Sequence, residues 1–143
     1  MNKYLASTEA TEQFGAALWT ILPETGVIFL QGDLGMGKTT LVRGFLRGAG
    51  FTGAVKSPTF TLVEEYNLGE RKIFHFDLYR LSDPEELEWI GIRDYFSQNC
   101  LCFIEWAERG TGFLPVPDAV ISLIVQGLGR GLILETVAEY QKK

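Results

Sequence analysis

The chain has 143 residues, 46% hydrophobic and 22% charged, with a net charge of −5. That length predicts a single domain over 1–143, large enough to bury a core, and the acidic balance argues against an independent nucleic-acid binder, which needs a cationic face to displace counterions, while leaving room for a local basic patch. Two cysteines are too few for a disulfide scaffold or a zinc site, and neither Met1–Leu5 nor any later run has the apolar length of a signal segment or a membrane span, so a cytoplasmic protein with no membrane association is expected.

Thr8 to Leu22 reads as a helix. Ser7 or Thr8 can cap it, Glu9 and Glu12 suit its positive end, and Phe14, Leu18, Ile21 and Leu22 form an apolar face before Pro23 stops it. Val27-Ile28-Phe29-Leu30 then reads as a buried strand.

The stretch that follows, Gly32-Asp33-Leu34-Gly35-Met36-Gly37-Lys38-Thr39, fits the phosphate-loop pattern G-x-x-x-x-G-K-[ST]. A helix begins near Lys38, with Leu41, Phe45 and Leu46 at helical spacing until Gly48 and Gly50. Strand, glycine loop and helix are the arrangement that anion binding requires. Gly32, Gly35 and Gly37 can turn successive backbone N–H groups inward, and the helix adds its unpaired N–H groups and positive dipole end. In this pattern Lys38 supplies a point charge for the β- and γ-phosphates, and the Thr39 hydroxyl takes a Mg²⁺ position.

Val55 to Tyr66 reads as extended, since Pro58 forbids a helix and the residues after it favour strands. Asn67 to Glu70 forms a turn into a second strand, Ile73 to Leu78. Asp83-Pro84 opens a helix with Glu86 placed for a capping box, Leu87 and Ile90 inward, and Gly91 as its break; Arg93 to Phe96 adds another turn. Leu101 to Ile104 is an apolar strand of the parallel-core type. After a Gly/Pro loop over 110–117, Val120–Val125 and Leu132–Val137 read as a closing hairpin around 127–131.

A phosphate loop alone binds; hydrolysis asks for more. Mg²⁺ takes hard oxygen ligands, commonly one or two carboxylates beside phosphate, and in a parallel sheet these sit at the carboxyl ends of strands. Glu105 and Asp77 both follow apolar strands and are the candidates. Thr59 and Thr61 fall where a switch segment would lie, able to reach a metal or a γ-phosphate. Trp106 adjoins Glu105 at the edge of such a site. His75 stands alone on its strand and reads as structural, and Cys100 and Cys102 read as small core residues on one side of a strand.

Four blocks together resemble the TsaE (YjeE) family of ATPases: Gly32 to Thr40, Ser57-Pro58-Thr59-Phe60-Thr61-Leu62, His75-Phe76-Asp77-Leu78-Tyr79-Arg80-Leu81, and Ile104-Glu105-Trp106. They occur in that family's order, and similarity extends through Asp83–Leu87 and Gly91–Tyr95. The resemblance implies an α/β, P-loop NTPase-like fold: a central, mainly parallel sheet flanked by antiparallel strands and helices. It implies weak ATPase activity with ATP and Mg²⁺, and a role in forming N6-threonylcarbamoyladenosine at position 37 of tRNAs reading codons that begin with A. The implied partners are the TsaB and TsaD proteins, with tRNA met only indirectly through that complex.

By position, the resemblance gives Lys38 a phosphate contact and Thr39 and Glu105 the Mg²⁺. The nucleotide would be bound by Gly32, Asp33, Leu34, Gly35, Met36, Gly37, Lys38, Thr39 and Thr40, with Thr59 and Thr61 in the first switch and Trp106 beside the metal carboxylate. The resemblance also makes Asp77 a residue on which activity would depend. Adenine and ribose contacts would come from Thr8 and from the late turn at Gly129 and Arg130. Met36, where many members have alanine, is expected to contribute only its backbone. The expected reaction is attack of water on the γ-phosphate, with Lys38, Asp77 and Glu105 as the catalytic set and Asp77 orienting either the attacking water or a water bound to the metal. Arg80 is the nearest candidate in sequence for an arginine finger. Three rivals stay open: a GTPase, for which an Asn-Lys-x-Asp guanine reader is absent, a small-molecule kinase, and an adaptor that uses ATP only to shape a docking surface.

Overall fold

The structure, a computed structural model, describes residues 1–136 and residue 138. Seven strands form one sheet: β1 (Asn2–Leu5), β2 (Gly26–Gln31), β3 (Val63–Leu68), β4 (Arg71–Asp77), β5 (Cys100–Glu105), β6 (Ala119–Gln126) and β7 (Gly129–Thr136). The order across the sheet is β1-β7-β6-β2-β5-β4-β3. The four central strands pair in parallel (β6 with β2, β2 with β5, β5 with β4), and both flanks are antiparallel. The sheet therefore has the mainly parallel centre and antiparallel flanks expected of it. Parallel central strands must be covered on both faces, which is why β2 and β5 read as unbroken apolar runs.

One face carries α1 (Thr8–Ile21) and α2 (Lys38–Gly48). Ile28, Leu30, Leu101, Phe103, Ile121 and Leu123 from the strands meet Leu18, Leu41, Val42, Phe45 and Leu46 from these helices. Small residues let the helices cross closely. A Cβ built on Gly44 would fall on the carbonyl oxygen of Glu12, with that residue's carbonyl carbon at 2.8 Å, and one on Gly48 would lie 2.7 Å from Ala16 Cα. On the opposite face Phe74, Phe76, Cys100, Cys102 and Ile104 pack under α3 (Glu86–Trp89) and α4 (Ile92–Phe96). The two thiols lie 3.7 Å apart, and burial pushes both up from the ordinary thiol range, Cys102 far up.

Several elements differ from expectation. β1 was not anticipated; its four residues are too few for a periodic signal, and it is held by pairing with β7. The segment before β3 is not extended. Leu62 N–H donates to Pro58 carbonyl oxygen and Leu62 takes φ +72°, so the chain turns at 58–62 and the strand starts only at Val63. Asp83 and Glu86 form the capping box, with Glu86 accepting from the Ser82 and Asp83 N–H groups, yet regular helix is confined to Glu86–Trp89 and Ile90 is exposed. The final hairpin turns tightly at Gly127-Leu128, and Val137, expected to end it, lies outside the described residues. Among the described residues no helix is long and apolar enough to cross a membrane.

Candidate active site

Topology gathers the chemistry at one edge of the sheet. β2, β4 and β5 run parallel, so Gln31, Asp77 and Glu105 all end at the same side, and the phosphate loop leaves β2 there. β1 and β6 run the same way, which brings Leu5 and the β6–β7 turn to that side too. The loop has the glycine geometry the motif demands. Gly35 and Gly37 take φ of +81° and +104°, and a Cβ at Gly35 would meet nothing within 4 Å, so conformation, not space, selects glycine there. Gly37 is the N-cap of α2 and has no side chain to occupy the first N–H groups of that helix.

A cavity of about 270 Å³ opens beside this helix start, lined by Leu34, Gly35, Gly37, Lys38, Thr39, Thr40, Ser57, Thr59, Asp77 and Glu105. Lys38, Asp77 and Glu105 are all buried. The Lys38 Nζ donates to the carbonyl oxygen of Gly32 at 2.5 Å and stands 3.3 Å from Glu105 Oε1. The other carboxylate oxygen of Glu105 takes His75 Nε2 at 2.5 Å. Burial alone would push the Glu105 carboxyl up. The His75 hydrogen bond and charge, followed by the Lys38 ammonium, outweigh it and hold Glu105 below the usual carboxylate range. Asp77 accepts from the Tyr79 N–H at 3.0 Å through Oδ1 and from the Thr59 hydroxyl at 3.4 Å through Oδ2. Its strand register sets it directly beside Glu105.

A second cavity, about 440 Å³, lies on the other side of the loop and shares Gly35, Gly37 and Thr40 with the first. Thr8, Gly129 and Arg130, far apart in sequence, all line it, together with Ser7, Glu9 and Met36. Ser7 caps α1 by accepting from the Ala10 N–H. Met36 does more than lend its backbone: its side chain packs against the core as well.

Not every candidate meets in the first cavity. Thr61 is exposed and its hydroxyl donates to Glu64 at 3.0 Å, because the turn at 58–62 sends Thr59 inward and Thr61 outward. Asp33 and Trp106 line a smaller cavity of about 220 Å³ across the loop, with Gly32. There the Trp106 ring sits 5.1 Å from Lys38 Nζ, a cation–π approach, and takes φ +56° as the chain leaves β5. Arg80 lines none of these cavities; its guanidinium stacks 4.3 Å over the Phe60 ring. His75 was read as structural and is in direct contact with Glu105. Strand parity carried the signal, since His75 and Asp77 must share a face of β4.

Among the described residues no three His, Cys, Asp or Glu side chains cluster to cage a metal by themselves. A hydroxyl with one or two carboxylates is instead the partial, hard-oxygen set that suits Mg²⁺ completed by phosphate and water.

Known proteins agree with this architecture. A crystal structure of YdiB from Bacillus subtilis superposes with a TM-score of 0.80 at 28% identity, covering 99% of this chain and 89% of that one. The tRNA threonylcarbamoyladenosine biosynthesis protein TsaE of Haemophilus influenzae is 60% identical over 97 residues, 68% of this chain but only 61% of that protein's own length. The protein of the same name from Synechocystis is 43% identical over 113 residues, 76% of this chain and 71% of its own. The family model described as threonylcarbamoyl adenosine biosynthesis protein TsaE matches residues 5–130, a span holding the phosphate loop, both strand-end carboxylates and the late Gly-Arg turn. This chain belongs to the TsaE family.

Proposed function

We propose that the chain is a Mg²⁺-dependent ATPase that binds the TsaB–TsaD assembly and supports N6-threonylcarbamoyladenosine formation at position 37 of tRNAs reading codons that begin with A. One observation carries the catalytic half of this reading: Lys38, Thr39, Asp77 and Glu105 converge on one cavity at the N-terminus of α2. The pathway half rests on the family and on the names of its members. The net charge of −5 favours a protein partner over direct tRNA contact.

In this reading the loop amides from Gly35 to Thr39 and the Lys38 ammonium hold the β- and γ-phosphates. Thr39 and Glu105 hold the divalent ion, which neutralises charge on the transferring group when bound. Asp77, fixed through both oxygens, orients the attacking water. Trp106 covers the Lys38 ammonium and keeps it poorly hydrated. Adenine and ribose occupy the larger cavity between Thr8 and Arg130. Among the described residues no arginine lines the catalytic cavity, so in this reading hydrolysis by the isolated chain is slow and a partner completes the site.

The test is reconstitution with TsaB and TsaD, scoring modified tRNA and released phosphate over many turnovers. Lys38→Ala should abolish ATP binding and repeated turnover. An unmodified chain that neither binds nor hydrolyses ATP with Mg²⁺, or full tRNA modification with Lys38→Ala, would refute the reading.

A further inference from the structure

His75 is an unusual residue to bury. It is fully enclosed in the centre of β4, and its Nδ1 has no hydrogen-bond partner among the described residues. An orphaned polar atom in a core is destabilising, so an apolar residue would serve packing better there. The group opposite it on β3, Glu64, engages the Thr61 hydroxyl. What His75 does make is the Nε2 contact to Glu105 Oε2.

The two partners of Glu105 differ in kind. Lys38 has a long, flexible side chain and lines the cavity where phosphate would sit, so its hold on Oε1 is exchangeable. His75 projects from a strand paired to β5 from Lys72 to Asp77, with His75 beside Phe103 and Asp77 beside Glu105. It has only two side-chain torsions and no room to move.

Taking Glu105 as the divalent-ion ligand of the proposed ATPase, we propose that His75 is its positioning residue. The imidazole fixes Glu105 through Oε2, so that Oε1 faces the ion once phosphate draws the Lys38 ammonium away. The carboxylate then changes partner on one oxygen without losing its orientation on the other. Groups behind a metal ligand typically tune metal affinity by 10–100-fold.

His75 is the sole histidine in the chain, which makes the test unambiguous. In ¹⁵N-edited NMR of the untagged chain, the Nε2 proton should be hydrogen-bonded and protected, and should remain so after Mg²⁺–ADP is added while its shift moves. Loss of that proton's protection on adding Mg²⁺–ADP would overturn the proposal. The variants His75→Asn and His75→Gln give a second readout, Mn²⁺ affinity by electron paramagnetic resonance in the presence of ADP. Both are buried amides, but only Gln can reach to the position of Nε2. Mn²⁺ binding should weaken about tenfold in His75→Asn and return to within a few-fold of wild type in His75→Gln, with ADP affinity in EDTA unchanged in both. Equal Mn²⁺ affinity in the two variants would overturn the proposal alone. Failure of the unmodified chain to bind Mn²⁺–ADP would overturn it together with the ATPase reading.

Discussion

Gly44 to alanine is the most exacting test of how the site is assembled. The new methyl group would stand 2.8 Å from the Glu12 carbonyl carbon and closer still to its oxygen, where ordinary contact begins at 3.4 Å. Both clashing atoms are backbone, so no side chain can swing aside, and α1 must lift from α2 by more than the roughly 0.6 Å that would relieve the carbon contact alone, because the oxygen lies nearer. An opening of that size forfeits roughly a quarter of the dispersion energy across the contact. Overpacking of this kind costs about 3 kcal/mol at its upper end. Replacing an interior helical glycine returns about 1 kcal/mol of propensity. The net loss of about 2 kcal/mol lowers the melting temperature by roughly 6 °C for a domain of this size. The effect reaches function because Glu12 lies one turn from Thr8, and Thr8 and Thr11 wall the larger cavity against Gly37. ADP affinity, measured by calorimetry, should therefore fall along with thermal stability. A variant melting at or above the wild-type temperature would refute the close-crossing argument.

Three further outcomes are expected. Asp77→Asn, which leaves one carbonyl oxygen to hold either Tyr79 N–H or Thr59, should cut kcat at least tenfold with KM little changed, checked by steady-state phosphate release. The folded Glu105 carboxyl lies below its usual value of 4.5, so its pairing stabilises the fold above that pH and the contribution is lost as pH falls through the lower, folded value; urea titrations from pH 6 downward should show a steeper acid loss in wild type than in Glu105→Gln. Cys100 and Cys102, buried and held as thiols, should resist a disulfide exchange reagent at pH 8 in the native protein and react fully in urea.

Much of this was legible before any coordinates. Val27–Leu30 and Leu101–Ile104 announce themselves because a strand covered on both faces has no polar alternation to confuse it with a surface element. The phosphate loop is equally plain, since only glycine tolerates the angles at Gly35 and Gly37. The failures share a cause. The turn at 58–62 is built from Pro58, Thr59, Phe60 and Thr61, residues whose local preference is extended, and tertiary contact with Asp77 overrides that preference. β1 exists through its partner alone. Spacing sets His75 on the same face of β4 as Asp77, but the contact with Glu105 also needed the register of β4 against β5, a long-range property. Thr8, Gly129 and Arg130 are different: the resemblance had already named them together, and all three line one cavity.

The pairing of β1 with β7 has a bearing on how the chain is made. Leu5 lies opposite Arg130 and Asn2 opposite Ile133, so the first strand waits for almost the last one. At a synthesis rate of about 5–20 residues per second, the opening residues emerge roughly 6–25 s before their mate exists. During that interval β2, α2 and the phosphate loop can already be packing, while the Thr8 side of the larger cavity has no opposing wall. In the proposed reading, bound nucleotide can therefore favour the assembled site only once residue 130 has been made.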